Sequence, residues 1–116
     1  MAKFLLLLTD TPSTFSGMSP EEIQAIIGKY RAWRQKLTDA GKLHGGHKLK
    51  DEGGKIMTRR AGQVSVVDGP FVETKEIIGG YFVMEAENYN EAVELSRDCP
   101  HLTYGTIEIR EIEIMP

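Results

Sequence analysis

The chain of 116 residues has one cysteine, Cys99, so an intramolecular disulfide is excluded and a reducing compartment is the simpler expectation. Cys99 stands beside Pro100 with nothing near it in sequence to lower a thiol pKa, and reads as a small hydrophobe rather than a nucleophile. Long apolar runs are also missing. Phe4 to Leu8 is far too short for a membrane span, and it has neither the charged lead-in nor the cleavage site of a secretory leader. A soluble, cytoplasmic protein without a membrane partner is expected. Basic excess is lacking as well: the formal charge is -3, whereas a general nucleic-acid binder needs surplus Lys and Arg to neutralise phosphates.

The charge that is present is unevenly placed. Lys42, Lys48, Lys50, Lys55, Arg59 and Arg60 cluster in the middle against Asp51 and Glu52, while the last third carries Glu85, Glu87, Glu91, Glu94, Asp98, Glu108, Glu111 and Glu113. The basic patch is large enough for a small anion. The length fits one domain over residues 1–116, and a helix-and-sheet domain of this size often covers one sheet face with a partner.

Lys3 to Thr9 predicts a strand whose middle is apolar without alternation, which places it in the centre of a sheet with cover on both faces. A loop over Asp10 to Met18 follows. Ser19, Pro20 and Glu22 together supply an N-cap, a first helical proline and a capping box. Ile23, Ile26, Ile27, Tyr30, Trp33, Leu37 and Ala40 then form one apolar stripe, which Gly41 ends. Leu43 to Leu49 predicts a strand broken by a bulge at Gly45-Gly46. Lys55 to Arg60 and Gln63 to Asp68 predict a hairpin about Ala61-Gly62, beyond a turn at Asp51 to Gly54.

Phe71 to Ile78 reads as an extended polar segment leading through Gly79-Gly80 into Tyr81 to Met84, a second central strand. Asn88 and Glu91 cap a second helix with Tyr89, Ala92, Val93, Ser96 and Cys99 inward. In the closing strand, Thr106 to Ile114, the pairs Ile107/Ile109 and Ile112/Ile114 are out of phase, and a bulge near Arg110-Glu111 would put all four on one side. With the hairpin set aside, the order strand, helix, strand, strand, helix, strand is an α+β, ferredoxin-like split β-α-β arrangement with an inserted β-hairpin. Right-handed crossovers put both helices on one face, so the apolar opposite face calls for a second copy, a homodimer.

Asp68-Gly69-Pro70-Phe71, Glu73-Thr74-Lys75-Glu76 and Gly79-Gly80-Tyr81 resemble the signature of the YCII-related family of DGPF-domain type. The resemblance extends from about Lys42 to the end of the chain. It implies a dimeric α/β barrel with clefts near the interface. It also implies, for some relatives, an acid–base pair of a first-helix histidine and an aspartate. The helix here holds no histidine, and Tyr30 or Arg31 occupies that region.

Asp68 is the first catalytic candidate, because a carboxylate at a strand end beside a rigid Gly-Pro turn is held where a cleft would form. An Asp at the first position of a turn more commonly only caps the turn, accepting hydrogen bonds from the backbone just ahead. Glu73, Lys75 and Glu76 on the following loop, Tyr81, and the basic His47, Arg59 and Arg60 are the ligand-binding candidates for a small anion. His44 and His47 lie three apart, on opposite faces of a regular strand, unless the bulge brings them together. With no third ligand evident, neither a metal nor a cofactor is called for. His101 reads as a surface loop residue.

Two functions stay open. One is a small-molecule enzyme performing proton transfer, isomerisation or elimination on a small anionic compound in a dimer cleft. The other is a non-catalytic ligand-binding or regulatory accessory module linked, as the resemblance implies, to an alternative sigma-factor system.

Overall fold

The computed structural model describes residues 1–116. β1 (Ala2–Asp10), α1 (Pro20–Asp39), β2 (Leu43–Lys48), β3 (Lys55–Arg60), β4 (Gln63–Asp68), β5 (Ile77–Ala86), α2 (Tyr89–Ser96) and β6 (Thr106–Glu111) follow in order, with 3-10 turns at Pro12–Phe15 and Pro100–Thr103. The main sheet has the order β2-β5-β1-β6, and every neighbouring pair in it is antiparallel. The two strands expected at the centre, β1 and β5, are there.

Their side chains alternate between two environments. Phe4, Leu6 and Leu8 of β1 and Phe82, Met84 and Ala86 of β5 are buried in one core with Trp33 and Leu37 of α1, Ala92 of α2, and Cys99. Phe4, Leu6 and Met84 are completely enclosed, each contributing about 1.5–3 kcal/mol through its burial. Leu5, Leu7, Tyr81 and Val83 point to the other face and are only half-buried. Nothing in the chain covers that face.

The capping box of α1 forms as expected, with the Ser19 hydroxyl accepting from the Glu22 N–H at 3.1 Å, and Gly41 ends the helix at φ 73°. The buried stripe is narrower than the sequence suggests. Trp33 and Leu37 are buried, Ile23, Ile26 and Tyr30 half-buried, and Ile27 and Ala40 exposed, because a twisted sheet touches a smaller arc of the helix than the apolar residues span. In α2, likewise, Ala92 and Ser96 face in, whereas Tyr89 and Val93 lie at the margin and stay exposed. Tyr89 nevertheless sets its ring edge-on to Phe4 at 4.9 Å.

The bulge expected at Gly45-Gly46 is present, since Leu43 faces Met84 and Gly45 faces Val83, leaving His44 as the extra residue. The bulge expected near Arg110-Glu111 is not. Pairing runs regularly from Thr106 to Glu111, and Ile112 N–H still donates to the Lys3 carbonyl at 2.8 Å. The change of phase is instead a change of face. Ile107 and Ile109 stand opposite Leu8 and Leu6 against the core, and Ile112 falls by parity on the uncovered side.

β3 and β4 form a separate two-stranded sheet turned at Ala61 (φ 50°) and Gly62 (φ 79°), a backbone suited to a tight hairpin. Every residue from Lys55 to Asp68 is exposed. At its base the strands' flanks are clamped: Gly69 N–H donates to the Gly54 carbonyl at 2.8 Å, and a Cβ on Gly53 would stand 1.9 Å from the Gly69 oxygen. This arm extends the molecule. Its radius of gyration is 16.5 Å, against about 13 Å for a compact chain of this length.

Candidate functional site

The residues singled out by the sequence occupy three separate places. Asp68 lies at the base of the arm, with 81 % of its side chain exposed and an ion pair to Lys55, the residue it faces across the hairpin. Arg59 and Arg60 are at the tip, where Arg59 reaches only the Gly62 carbonyl at 3.4 Å. Asp68 and Arg59 share a face by parity, but Arg59 is four positions beyond Lys55 along β3, about 13 Å. Within one chain they line no common cleft.

Glu73, Lys75 and Glu76 follow the arm. The segment expected to be extended turns instead, Lys75 N–H donating to the Val72 carbonyl at 2.9 Å, and the Glu73 carbonyl accepts from Ser13 N–H at 3.0 Å. His47 and Tyr81 do meet, on the uncovered sheet face, with Nδ1 and the phenol oxygen 2.9 Å apart. His44 pairs with Glu85 on the same face at 3.0 Å, holding the Glu85 carboxyl below its ordinary pKa through that hydrogen bond. The bulge thus brings both histidines to one side, beside partners four residues apart on β5.

The chemistry that the sequence reading passed over sits at the end of β1. Asp10 continues the buried register Phe4, Leu6, Leu8 and is only 7 % exposed. No side-chain hydrogen bond engages its carboxylate, yet no fully enclosed side-chain oxygen or nitrogen in the protein lacks a partner, so its oxygens retain a narrow opening. Room for it comes from the irregularity in the β1–β5 pairing at Leu8/Thr9, which makes Gly79 the unpaired residue. A Cβ there would lie 3.1 Å from Asp10 Oδ1.

His101, expected at the surface, is 3 % exposed. The 3-10 turn after Cys99 rolls its ring under α1. Its Nε2 lies 2.8 Å from the Thr9 carbonyl and its Nδ1 lies 2.8 Å from the Tyr30 hydroxyl. A carbonyl can only accept, so Nε2 carries the proton and, in the neutral ring, Nδ1 accepts from Tyr30 O–H. Gly105 allows this fit, because a Cβ there would stand 1.9 Å from the Thr9 oxygen and 2.9 Å from His101 Nε2.

Burial raises the Asp10 pKa above the ordinary aspartate value; His101 and Lys48 oppose the shift and Asp51 adds to it. Burial likewise raises the Tyr30 phenol. The Cys99 thiol is raised by burial too, against a hydrogen bond from the His101 backbone, which leaves it inert beside the cluster. Asp10, His101 and Tyr30 therefore assemble a desolvated carboxylate, an imidazole of fixed tautomer and a neutral phenol around one strand end. Two shallow clefts, one at Met1–Lys3 and Glu111–Ile114 and one along Trp33, Lys36 and Asp98, lie elsewhere.

One signal for Asp10 was legible: it is in phase with the buried residues of an apolar strand. His101 carries none, since its burial depends on the path of the turn after α2. Tyr30 lies in the region of α1 where the family resemblance implies a histidine in some relatives, and here an imidazole arrives from the turn at Pro100–Thr103 to bond it.

The comparisons agree with this fold. An uncharacterized protein of Rhizobium meliloti (strain 1021) is 29% identical over 114 residues, covering 96% of this chain and 92% of that protein. The structure of 5-chloro-2-hydroxyhydroquinone dehydrochlorinase from Burkholderia phenoliruptrix AC1100, in complex with 2,5-dihydroxybenzoquinone, superposes with a TM-score of 0.51. At 17% identity, over 96% of this chain and 93% of that one, it shows the same kind of α+β fold. The model of the YCII-related domain matches residues 2–116, and the chain belongs to the YCII-related family.

Proposed function

We propose that the protein is a small-molecule enzyme that moves a proton to or from a small anionic organic compound, in an isomerisation or elimination, at Asp10, His101 and Tyr30. The observation that carries this reading is the Asp10 carboxylate, buried in phase with the core and engaged by no hydrogen bond. A charge in that state lowers stability, and an apolar residue would serve the fold better. A raised carboxylate pKa is, by contrast, what a general base near neutral pH requires.

Asp10 takes the proton from the substrate, and the electron pair released either forms a new double bond as a leaving group departs or shifts to an adjacent oxygen. Tyr30 and His101 face the resulting negative charge. As that charge develops, the Tyr30 hydroxyl turns from His101 Nδ1 and donates its O–H to it, the ring staying neutral. Lys48 stands near Asp10 but is paired with Asp51 at 2.9 Å, so an anionic ligand would share it with that carboxylate. Asp68, solvated and paired with Lys55, lacks the desolvation that this role needs.

The fold neighbour is by name a dehydrochlorinase, an elimination of the proposed class, and this supports the reading as an analogy of fold. The strand order supports taking the sheet as the ferredoxin-like split arrangement with its hairpin inserted. A homodimer in which two copies cover the Leu5, Leu7, Tyr81, Val83 face completes the reading as a dimeric α/β barrel. His47 and Tyr81 then lie at the interface.

The test is a panel of small hydroxylated and chlorinated ring compounds, followed for chloride release and for C–H exchange into D2O by NMR. Wild type should turn over at least one compound, with Asp10→Asn reducing the rate by about 10²–10⁴ and Asp68→Asn leaving it unchanged. Turnover that survives Asp10→Asn and is lost in Asp68→Asn would move the chemistry to the arm. Binding without turnover across the panel would favour an accessory binding module.

A further inference from the structure

The strand register sets Lys48 and Asp10 on one side of the sheet. Leu8 and Lys48 both pair with Gly80, one from each flank of β5, and Leu8 and Asp10 are successive members of the buried row of β1. Parity therefore turns Lys48 toward the core side, at the end of the sheet where Asp10 lies. β1 and β2 stand two strand spacings apart, about 10 Å, and the stem of Lys48 crosses most of that gap. The line from Lys48 to Asp10 passes over Gly80 and Gly79, which carry no side chain to block it. Asp10 Oδ1 itself leans over Gly79, within 3.1 Å of where a Cβ would stand.

A buried carboxylate with an ammonium in reach ordinarily takes it as a partner, since an unpaired charge in a desolvated place is heavily penalised. Lys48 goes elsewhere. Its Nζ donates to Asp51 Oδ1 at 2.9 Å and to the Leu49 carbonyl, and no side chain donates to Asp10. The Lys48–Asp51 pair stands in solvent, its side chains 67 % and 50 % exposed, so neither charge pays for desolvation. The turn that carries Asp51 is tied down on both sides. Glu52 N–H donates to the Lys50 carbonyl at 2.9 Å, and Gly69 N–H donates to the Gly54 carbonyl at 2.8 Å where the stems of the arm cross.

We infer that Asp51 is a positioning residue that parks the Lys48 ammonium away from the Asp10 carboxylate and so leaves the base unpaired. This rests on the reading of Asp10 as the base and adds what keeps it free. A lysine on Asp10 would stabilise the ionised carboxylate and remove the basicity that proton abstraction needs. The groups that face Asp10 are His101 from the turn before β6, Tyr30 from α1, Lys48 from the end of β2 and Asp51 from the turn after it. Only one of them is a lysine, and its choice of partner decides the charge beside Asp10.

The experiment is a carbon-13 NMR titration of the Asp10 carboxyl, without substrate, in wild type, Asp51→Asn, Lys48→Met, the double variant and Asp51→Glu. Both positions are exposed, and circular dichroism with thermal melting verifies that each variant folds. Asp51→Asn should lower the Asp10 pKa by about 1 or more, as Lys48 turns to the carboxylate that remains. Made in the Lys48→Met background, the same substitution should lower it by less than half as much, because the ammonium that would move is gone. Asp51→Glu, which still offers a carboxylate to Lys48, should keep Asp10 near its wild-type value. In an active enzyme the acid limb of the pH–rate profile should move down in Asp51→Asn along with the carboxyl. A fall of equal size with and without Lys48 would reduce Asp51 to a nearby negative charge and overturn the inference, as would no fall at all. Absence of turnover across the compound panel would overturn the enzyme reading alone, since these titrations use no substrate. A wild-type Asp10 that titrates at the ordinary 3.8 would overturn both.

Discussion

Replacing His101 by Ala separates a buried, doubly bonded imidazole from the solvated loop residue that the sequence suggests. The ring is 3 % exposed and makes hydrogen bonds at 2.8 Å to the Thr9 carbonyl and to Tyr30. Its loss strands an acceptor and a donor in a partly buried region, each worth about 1–3 kcal/mol when left unpaired, for a total of about 2–6 kcal/mol. The edge contact between the Tyr30 and His101 rings, 6.1 Å between centroids, is lost as well. At about 4 °C per kcal/mol for a chain of this size, the melting temperature should fall by about 8 °C or more. Tyr30→Phe should cost less, about 1–3 kcal/mol, because the Thr9 bond survives and only Nδ1 is left without a partner. The double variant should fall short of the sum, as expected for groups that share one bond. Urea or thermal unfolding supplies all three numbers. A His101→Ala cost below 0.5 kcal/mol, typical of a surface substitution, would refute the placement of the ring.

Asp10→Asn should stabilise the protein at pH 7. The folded-state pKa is raised by burial, so the folded state keeps a proton that the unfolded chain releases. That contribution is complete below the unfolded value near 3.9 and is lost as pH rises through the folded one. The advantage of Asn over Asp should therefore vanish near pH 4, and its size at pH 7 reads the shift at about 1.4 kcal/mol per unit. Gly105→Ala should destabilise by about 1–3 kcal/mol, since its Cβ would meet the Thr9 oxygen at 1.9 Å, and hydrogen exchange at the β1–β6 edge should accelerate with it. Leu7→Lys should leave a folded monomer at concentrations where light scattering finds the wild type dimeric, because the half-buried Leu7 lies on the uncovered face. A dimer unaffected by that charge would remove the sheet-to-sheet contact.

The fold was largely legible in the sequence because local signals agreed with one another. The Ser19-Pro20-Glu22 triplet starts α1 and Gly41 ends it, and the unbroken apolar runs of β1 and β5 lie at the sheet centre, as such runs must. Periodicity alone is a weaker guide in the closing segment, where Ile107 and Ile109 of β6 face the core and Ile112, just past the strand, falls on the other side. The site was less legible for a physical reason. Asp68 is conspicuous through its turn, yet Gly69 there lets the arm's two stems cross closely, which is a structural use of the motif. Asp10 and His101 are ninety-one positions apart, and only the antiparallel neighbours β1 and β6, with the turn that precedes β6, bring them to one strand end. No spacing rule reports such a meeting.

The most direct measurement is a carbon-13 NMR titration of the Asp10 carboxyl in wild type and in His101→Gln. Burial should place the wild-type pKa above the ordinary aspartate value of 3.8, and removing the imidazole, whose charge opposes that shift, should raise it further. A carboxyl that titrates at or below 3.8 and ignores the His101 substitution would contradict a desolvated base coupled to that histidine.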